Sequence, residues 1–151
     1  MGSYLINNIY TEKITILNKI QGKHTPDGGS DFWIKYVYPY AAWSSKSLSS
    51  INGSTVNIGT KTIVLLSNLD NYKPYEEFCR LGGFGDCFTM SLNDYIVKGI
   101  VTEEINSSTI TKVLSKYEPY SIRVQSIIHT PSRSFQCARL RIEGVQYVTC
   151  R

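Results

Sequence analysis

Alternation limits what this chain can fold into more than any other feature. Apolar and polar residues repeat with a period of two in short runs, and Gly, Pro, Asn and Ser interrupt them. Successive side chains of a strand point to opposite faces, so the pattern describes half-buried antiparallel β-strands. Tyr10–Asn18 reads as a first strand and Phe32–Tyr38 as a second, ended by Pro39. Ser44–Ser50 reads as a polar loop or an edge strand. Asn52-Gly53 is a hairpin-turn signal, followed by two short runs around Gly59, Ser54–Ile58 and Lys61–Leu66. Asp94–Val101 reads as a strand with Gly99 at its centre. A terminal hairpin pairs Ser121–Ile128 with Phe135–Ile142, and a short last strand, Val145–Thr149, follows Gly144.

Helical spacing is confined to two places. In Ser107–Tyr117, Ile110, Val113, Leu114 and Tyr117 fall at i, i+3, i+4 and i+7, with Ser107 as the cap and Pro119 as the stop. A shorter helix is predicted near 74–80, with Pro74 in its first turn and Gly82-Gly83 closing it. The rest of 67–93 is less periodic and reads as an insertion or surface excursion. At 151 residues the chain fits one domain, since two would each be undersized. The prediction is therefore a single mainly β domain over 1–151, a small antiparallel β-barrel or sandwich with one helix at about 107–117 and another near 74–80.

Composition narrows the function more by exclusion than by indication. Aromatic residues make up 12% of the chain, 11 of them tyrosines, which is too many for a disordered chain. No apolar run approaches the roughly 20 residues of a membrane span, and no membrane partner is expected. The N-terminus lacks the basic and apolar regions of a secretory signal. Cys79, Cys87, Cys137 and Cys150 are irregularly spaced and far in sequence from His24 and His129. They read as free, mostly buried thiols of a protein made in a reducing cytoplasm, and no metal is expected.

Catalytic equipment is sparse. A nucleophile–base couple such as Cys137 with His129 is possible across the hairpin, but a cysteine in an alternating strand is more often a small core residue. Glu103-Glu104 are adjacent and so point apart, which suits solvated charge and not a carboxylate dyad. Leu81-Gly82-Gly83-Phe84-Gly85-Asp86 lacks the Lys-Ser/Thr of a phosphate-binding loop. Neither an enzyme nor a cofactor is predicted.

Charge distribution says more than the total of +4. Residues 1–111 carry nine basic and ten acidic side chains, a balance of −1, whereas 112–151 carry seven and two, a balance of +5. Arg139 and Arg141 alternate along one strand and so share a face, opposite Leu140 and Ile142. With Arg133 they form a candidate basic strip facing DNA or an acidic partner. Tyr36, Tyr38 and Tyr40 alternate likewise and are candidate subunit-contact aromatics.

Taken in order, several blocks resemble a known group: Ile14–Lys19, Tyr36-Val37 with Ala42-Trp43, Thr62–Leu66, Leu92–Gly99, the helix at 107–117, and the hairpin ending Arg139-Leu140-Arg141-Ile142-Glu143-Gly144-Val145. They are similar to the minor structural proteins encoded between the capsid and tail genes of tailed phages and prophages of low-GC Gram-positive bacteria. That group shows a Gly-Asp-x-Ile-Val-x-Gly strand where this chain has Asn93-Asp94-Tyr95-Ile96-Val97-Lys98-Gly99. Asn for Gly is a mild departure, because Asn also tolerates positive φ.

The resemblance implies a head–tail connector of the stopper, or head-closure, kind. Such a protein acts in the virion neck after assembly in the host cytoplasm. It forms a homo-oligomeric ring, expected to be six-fold, below the portal and adaptor proteins and above the tail, around packaged double-stranded DNA. The expected mechanism is steric: a loop from each subunit enters the channel. The candidate loops are Gly22–Asp31, Ser44–Gly53 and Leu69–Asn93, with Lys23, Asp27, Gly28 and Lys46 as candidate channel residues. The alternatives are a tail terminator or tail-tube subunit and, in another class, an OB-like nucleic-acid-binding module.

Overall fold

A computed structural model describes residues 10–22, 29, 31–52, 55–82, 86–118, 120–131 and 138–147, with the backbone alone over 46–52 and 55–60. In chain order the elements are β1 (Glu12–Ile20), β2 (Phe32–Asn52), β3 (Thr55–Leu66), α1 (Tyr75–Leu81), β4 (Tyr95–Lys98), α2 (Ile110–Lys116), β5 (Ser121–Thr130) and β6 (Arg139–Gln146). The strands close into a barrel in the order β1-β2-β3-β6-β5-β4, and every neighbouring pair is antiparallel. Strand direction must reverse at each step around such a wall, which an even number of strands permits. The six-stranded wall also departs from the five-stranded OB barrel.

The interior is built from the inward halves of the alternating strands. Ile14, Ile16, Val64, Leu66, Ile96, Ile122, Val124, Leu140 and Ile142 meet there with Tyr36, Tyr38 and Ala41. Phe88 and Met90 join them from the segment between α1 and β4. Phe88 is fully buried, its ring centroid 4.9 Å from that of Tyr36 and 5.8 Å from those of Tyr38 and Tyr72. The stretch 67–93, read as an insertion or surface excursion, thus supplies the barrel interior with Phe88 and Met90.

Two helices cover other parts of the wall. Ile110, Val113 and Leu114 of α2 pack with Leu17, Val97, Val101 and Ile105, over the outward sides of β1 and β4. Phe78 and Cys79 of α1 pack with Ile20 and Cys87. Helix α2 starts later than expected. Ser107 is not its cap, because Asn106 organises the preceding turn by accepting bonds from the Ser108 and Thr109 N–H groups at 2.9 and 3.0 Å. At α1, Gly82 adopts φ +61° and its N–H reaches the Phe78 and Cys79 carbonyls, so the expected glycine stop is in place.

Several strand limits differ from expectation, each for a local reason. β2 does not end at Pro39. Glu12 pairs with Ala41 and Ile14 with Tyr38, so Pro39 and Tyr40 together oppose Lys13 in a bulge that tolerates the missing N–H. β3 runs unbroken through Gly59, paired along its length with β2. β4 stops at Lys98 because Gly99 turns to φ +99°. In the terminal hairpin Thr130 pairs with Arg139, so the return strand begins at Arg139, and Gly144 lies within it. The expected strand residues 135–137 and 148–149 lie outside the described residues.

Candidate interaction surface

The bulge at Pro39 decides the fate of the three tyrosines. Tyr36 and Tyr38 are 9% and 3% exposed and point into the barrel, whereas Tyr40, within the bulge, is 64% exposed. The Tyr38 hydroxyl donates to the Asn68 carbonyl at 3.0 Å and accepts from the Asn68 N–H at 2.9 Å. The Tyr36 hydroxyl accepts from Asn71 Nδ2 at 2.9 Å. These two rings fasten the segment after β3 to the barrel and are not available to a neighbouring subunit. Tyr40 alone of the set faces outward, beside an open groove of about 590 Å³ lined also by Tyr10, Thr11, Ser67 and Asn68.

Arg139 and Arg141 share the outer face of β6, with Leu140 and Ile142 inside, as the alternation indicates. Two residues absent from the sequence reading complete the surface. Lys61 of β3 and Arg123 of β5 flank Val145 of β6 in one row across three strands. They lie far from β6 in sequence, so only the barrel register brings them to it. Glu143 sits within this basic face, with Lys61 Nζ at 2.8 Å and Arg141 Nη2 at 3.1 Å. The neighbouring cations hold its carboxyl below the usual carboxylate range, the Lys61 bond most of all. Arg141 is thus partly neutralised, which its i, i+2 spacing from Glu143 on one strand face already signals. Beside the arginine side chains lies Ile128, opposite Arg141 and half exposed.

The Asn93–Gly99 motif has a structural role. Asn93 adopts φ +72°, the left-handed conformation that Gly takes without strain and Asn tolerates. The turn delivers Asp94 into the barrel wall, where its carboxylate accepts from Asn18 Nδ2 at 2.9 Å, the Ser91 N–H at 3.0 Å and the Lys19 N–H at 3.3 Å. Burial pushes this carboxyl up to about 6, against the opposing pull of those bonds. Asn18 also donates to the Thr89 carbonyl at 2.7 Å and accepts from the Thr89 N–H at 3.2 Å. The Asn18 amide thereby ties β1 to the segment carrying Phe88. At the other end of the motif, the Gly99 carbonyl accepts from Thr15 Oγ1 at 2.8 Å, and that same oxygen accepts from the Val101 N–H at 3.0 Å. Asp94 and Gly99 are thus consumed in closing β1 against β4.

Of the adjacent acids, Glu103 pairs with Lys116 Nζ and accepts from the Tyr117 hydroxyl at 2.8 Å. The Lys116 bond and then the Tyr117 bond hold its carboxyl down at about 2. Glu103 therefore clamps α2 to the preceding loop. Cys79 and Cys87 are buried thiols. His129 stacks at 5.9 Å from Tyr72, and its candidate partner Cys137 lies outside the described residues. So do Arg133, Lys23, Asp27 and Gly28, while Lys46 is described by its backbone alone, within β2. Among the described residues no three His, Cys, Asp or Glu side chains group as metal ligands, and no helix is long and apolar enough to cross a membrane.

The segment read as a polar loop or an edge strand, Ser44–Ser50, is strand, part of the longest hairpin in the described structure. β2 leaves β1 at Ala41 and β3 meets β6 only from Lys61, yet β2 and β3 stay paired from Ala41–Leu66 out to Asn52–Thr55. Six residue pairs, Ser47–Thr60 to Asn52–Thr55, lie beyond the wall. At about 3.3 Å per residue they form a ribbon of roughly 20 Å. The candidate surface therefore has two parts, the projecting ribbon and the basic face of β3, β6 and β5. No curated protein and no solved structure matches the chain. A family model does match it over residues 9–145, nearly its whole length, and the chain belongs to that family, described as a family of unknown function, DUF6751.

Proposed function

We propose that the protein is a ring-forming structural subunit of the head–tail junction of a tailed phage, a head-closure protein. The observation that carries this reading is the ribbon: a closed barrel with a two-stranded extension of about 20 Å is built to reach away from its own core. In a ring of such barrels the ribbons line the channel side by side and narrow it sterically. Of the three candidate channel loops, Ser44–Gly53 fits this role, since its residues Ser47–Asn52 form one arm of the ribbon. The sequence resemblance through the Asn93–Gly99 strand points the same way. In this reading Arg139, less neutralised than Arg141, is the stronger contact to packaged DNA or an acidic neighbour. The test is disruption of the gene in a phage or prophage that carries it. Filled heads should lose their DNA, and free tails should accumulate. Particles that mature and infect normally would overturn the proposal.

A further inference from the structure

We propose that the ribbon pairs edge to edge with the ribbon of a second copy of this chain, β2 of one against β3 of the next. A strand edge exposes a row of N–H and C=O groups that another strand satisfies best, and proteins that avoid such pairing protect their edges with charges, proline, bulges or short length. From Ser47 to Thr60 the chain has no charged residue and no proline, and β2 and β3 pair there without a register shift. A two-stranded hairpin standing alone in water is marginal, which favours a further strand on each side. The barrel wall cannot supply that strand, because it is closed. Among the described residues, the ribbon is open along both of its edges, β2 beyond its contact with β1 and β3 before its contact with β6, whereas β5 beyond its contact with β4 is open on one side alone.

Pairing β2 with β2 across a two-fold axis would satisfy one edge of each copy and leave the other open. Pairing β2 with β3 of the next copy uses both edges. It also keeps every neighbour antiparallel when the ribbons point the same way, and it ends without a free edge if the ring closes. The closed ring rests on the head–tail reading above, whereas the pairing itself does not.

The test follows the full chain by native mass spectrometry and residue-resolved amide hydrogen exchange over a concentration series. Two variants accompany it: one with residues 47–60 replaced by Asn-Gly, its fold checked by circular dichroism, and Leu48→Lys, which keeps the hairpin and adds charge to one edge. In the monomer, only the ribbon amides directed at the other strand should be protected. In the oligomer the outward amides should slow as well, by at least about tenfold. The shortened chain should be a folded monomer, and Leu48→Lys should raise the concentration needed for assembly at least about tenfold. Outward amides that exchange equally fast in oligomer and monomer would overturn the pairing, as would a full chain monomeric at every concentration. A shortened chain that still forms rings would overturn the pairing and leave the head–tail reading standing. Failure of that reading shows differently, in phage that mature normally without the protein.

Discussion

Asp94 carries the clearest chemical consequence of a single residue. Its carboxyl is raised by burial to about 6 in the folded chain, from 3.8 ordinarily. The folded state therefore binds the proton more tightly than the unfolded state. The stability linked to this group is fully present below about pH 4 and is lost as pH rises through about 6. Between pH 7 and pH 5 this one group should add about 1 kcal/mol to folding stability. Urea unfolding at the two pH values checks this, and Asp94→Asn should abolish that increment. Glu103 and Glu143 work in the opposite sense: their lowered pKa values make their contribution fade only in stronger acid. Gly144 is a second decisive residue. A Cβ there would lie 2.7 Å from the Arg123 carbonyl oxygen and 2.9 Å from Ile122 Cδ1, both on the facing strand β5. Gly144→Ala should cost about 1–3 kcal/mol in the same assay, since backbone cannot swing aside as a side-chain tip can.

Among the elements, period-two alternation located the strands, and the i, i+3, i+4, i+7 spacing located α2. Both signals arise from burial of one face, which a linear sequence displays directly. The parts it did not display depend on partners distant in the chain. Pro39 looks like a strand end until β1 is beside it to form the bulge, and that bulge separates buried Tyr36 and Tyr38 from exposed Tyr40. Phe88 sits in an aperiodic stretch, so nothing local marks it as the centre of the barrel. The basic face was half legible: Arg139 and Arg141 follow from alternation, but Lys61 and Arg123 need the register. The ribbon was half legible, because Ser-rich polar composition suits a loop as well as an edge strand, and its length appears only in the mutual ladder of its two strands. Since Phe88 fills the barrel and the ribbon lies outside it, their removal should differ sharply. Phe88→Ala should cost about 3–5 kcal/mol. Replacing residues 47–60 by Asn-Gly should leave the thermal midpoint within a few degrees, which differential scanning calorimetry would check.

At the scale of the molecule, the six-stranded wall spends its polar backbone internally, and the side chains inside it leave packing as their main role. What remains for function is the outside: a projecting ribbon, a basic face tempered by Glu143, and exposed Tyr40. That distribution suits the proposed subunit, which would act by position among copies of itself. The most direct measurement is cryo-electron microscopy of DNA-filled particles from a phage that carries this gene. A ring of these barrels is expected at the junction of head and tail, with the ribbons lining the channel. A junction that contains no copy of the chain would contradict it.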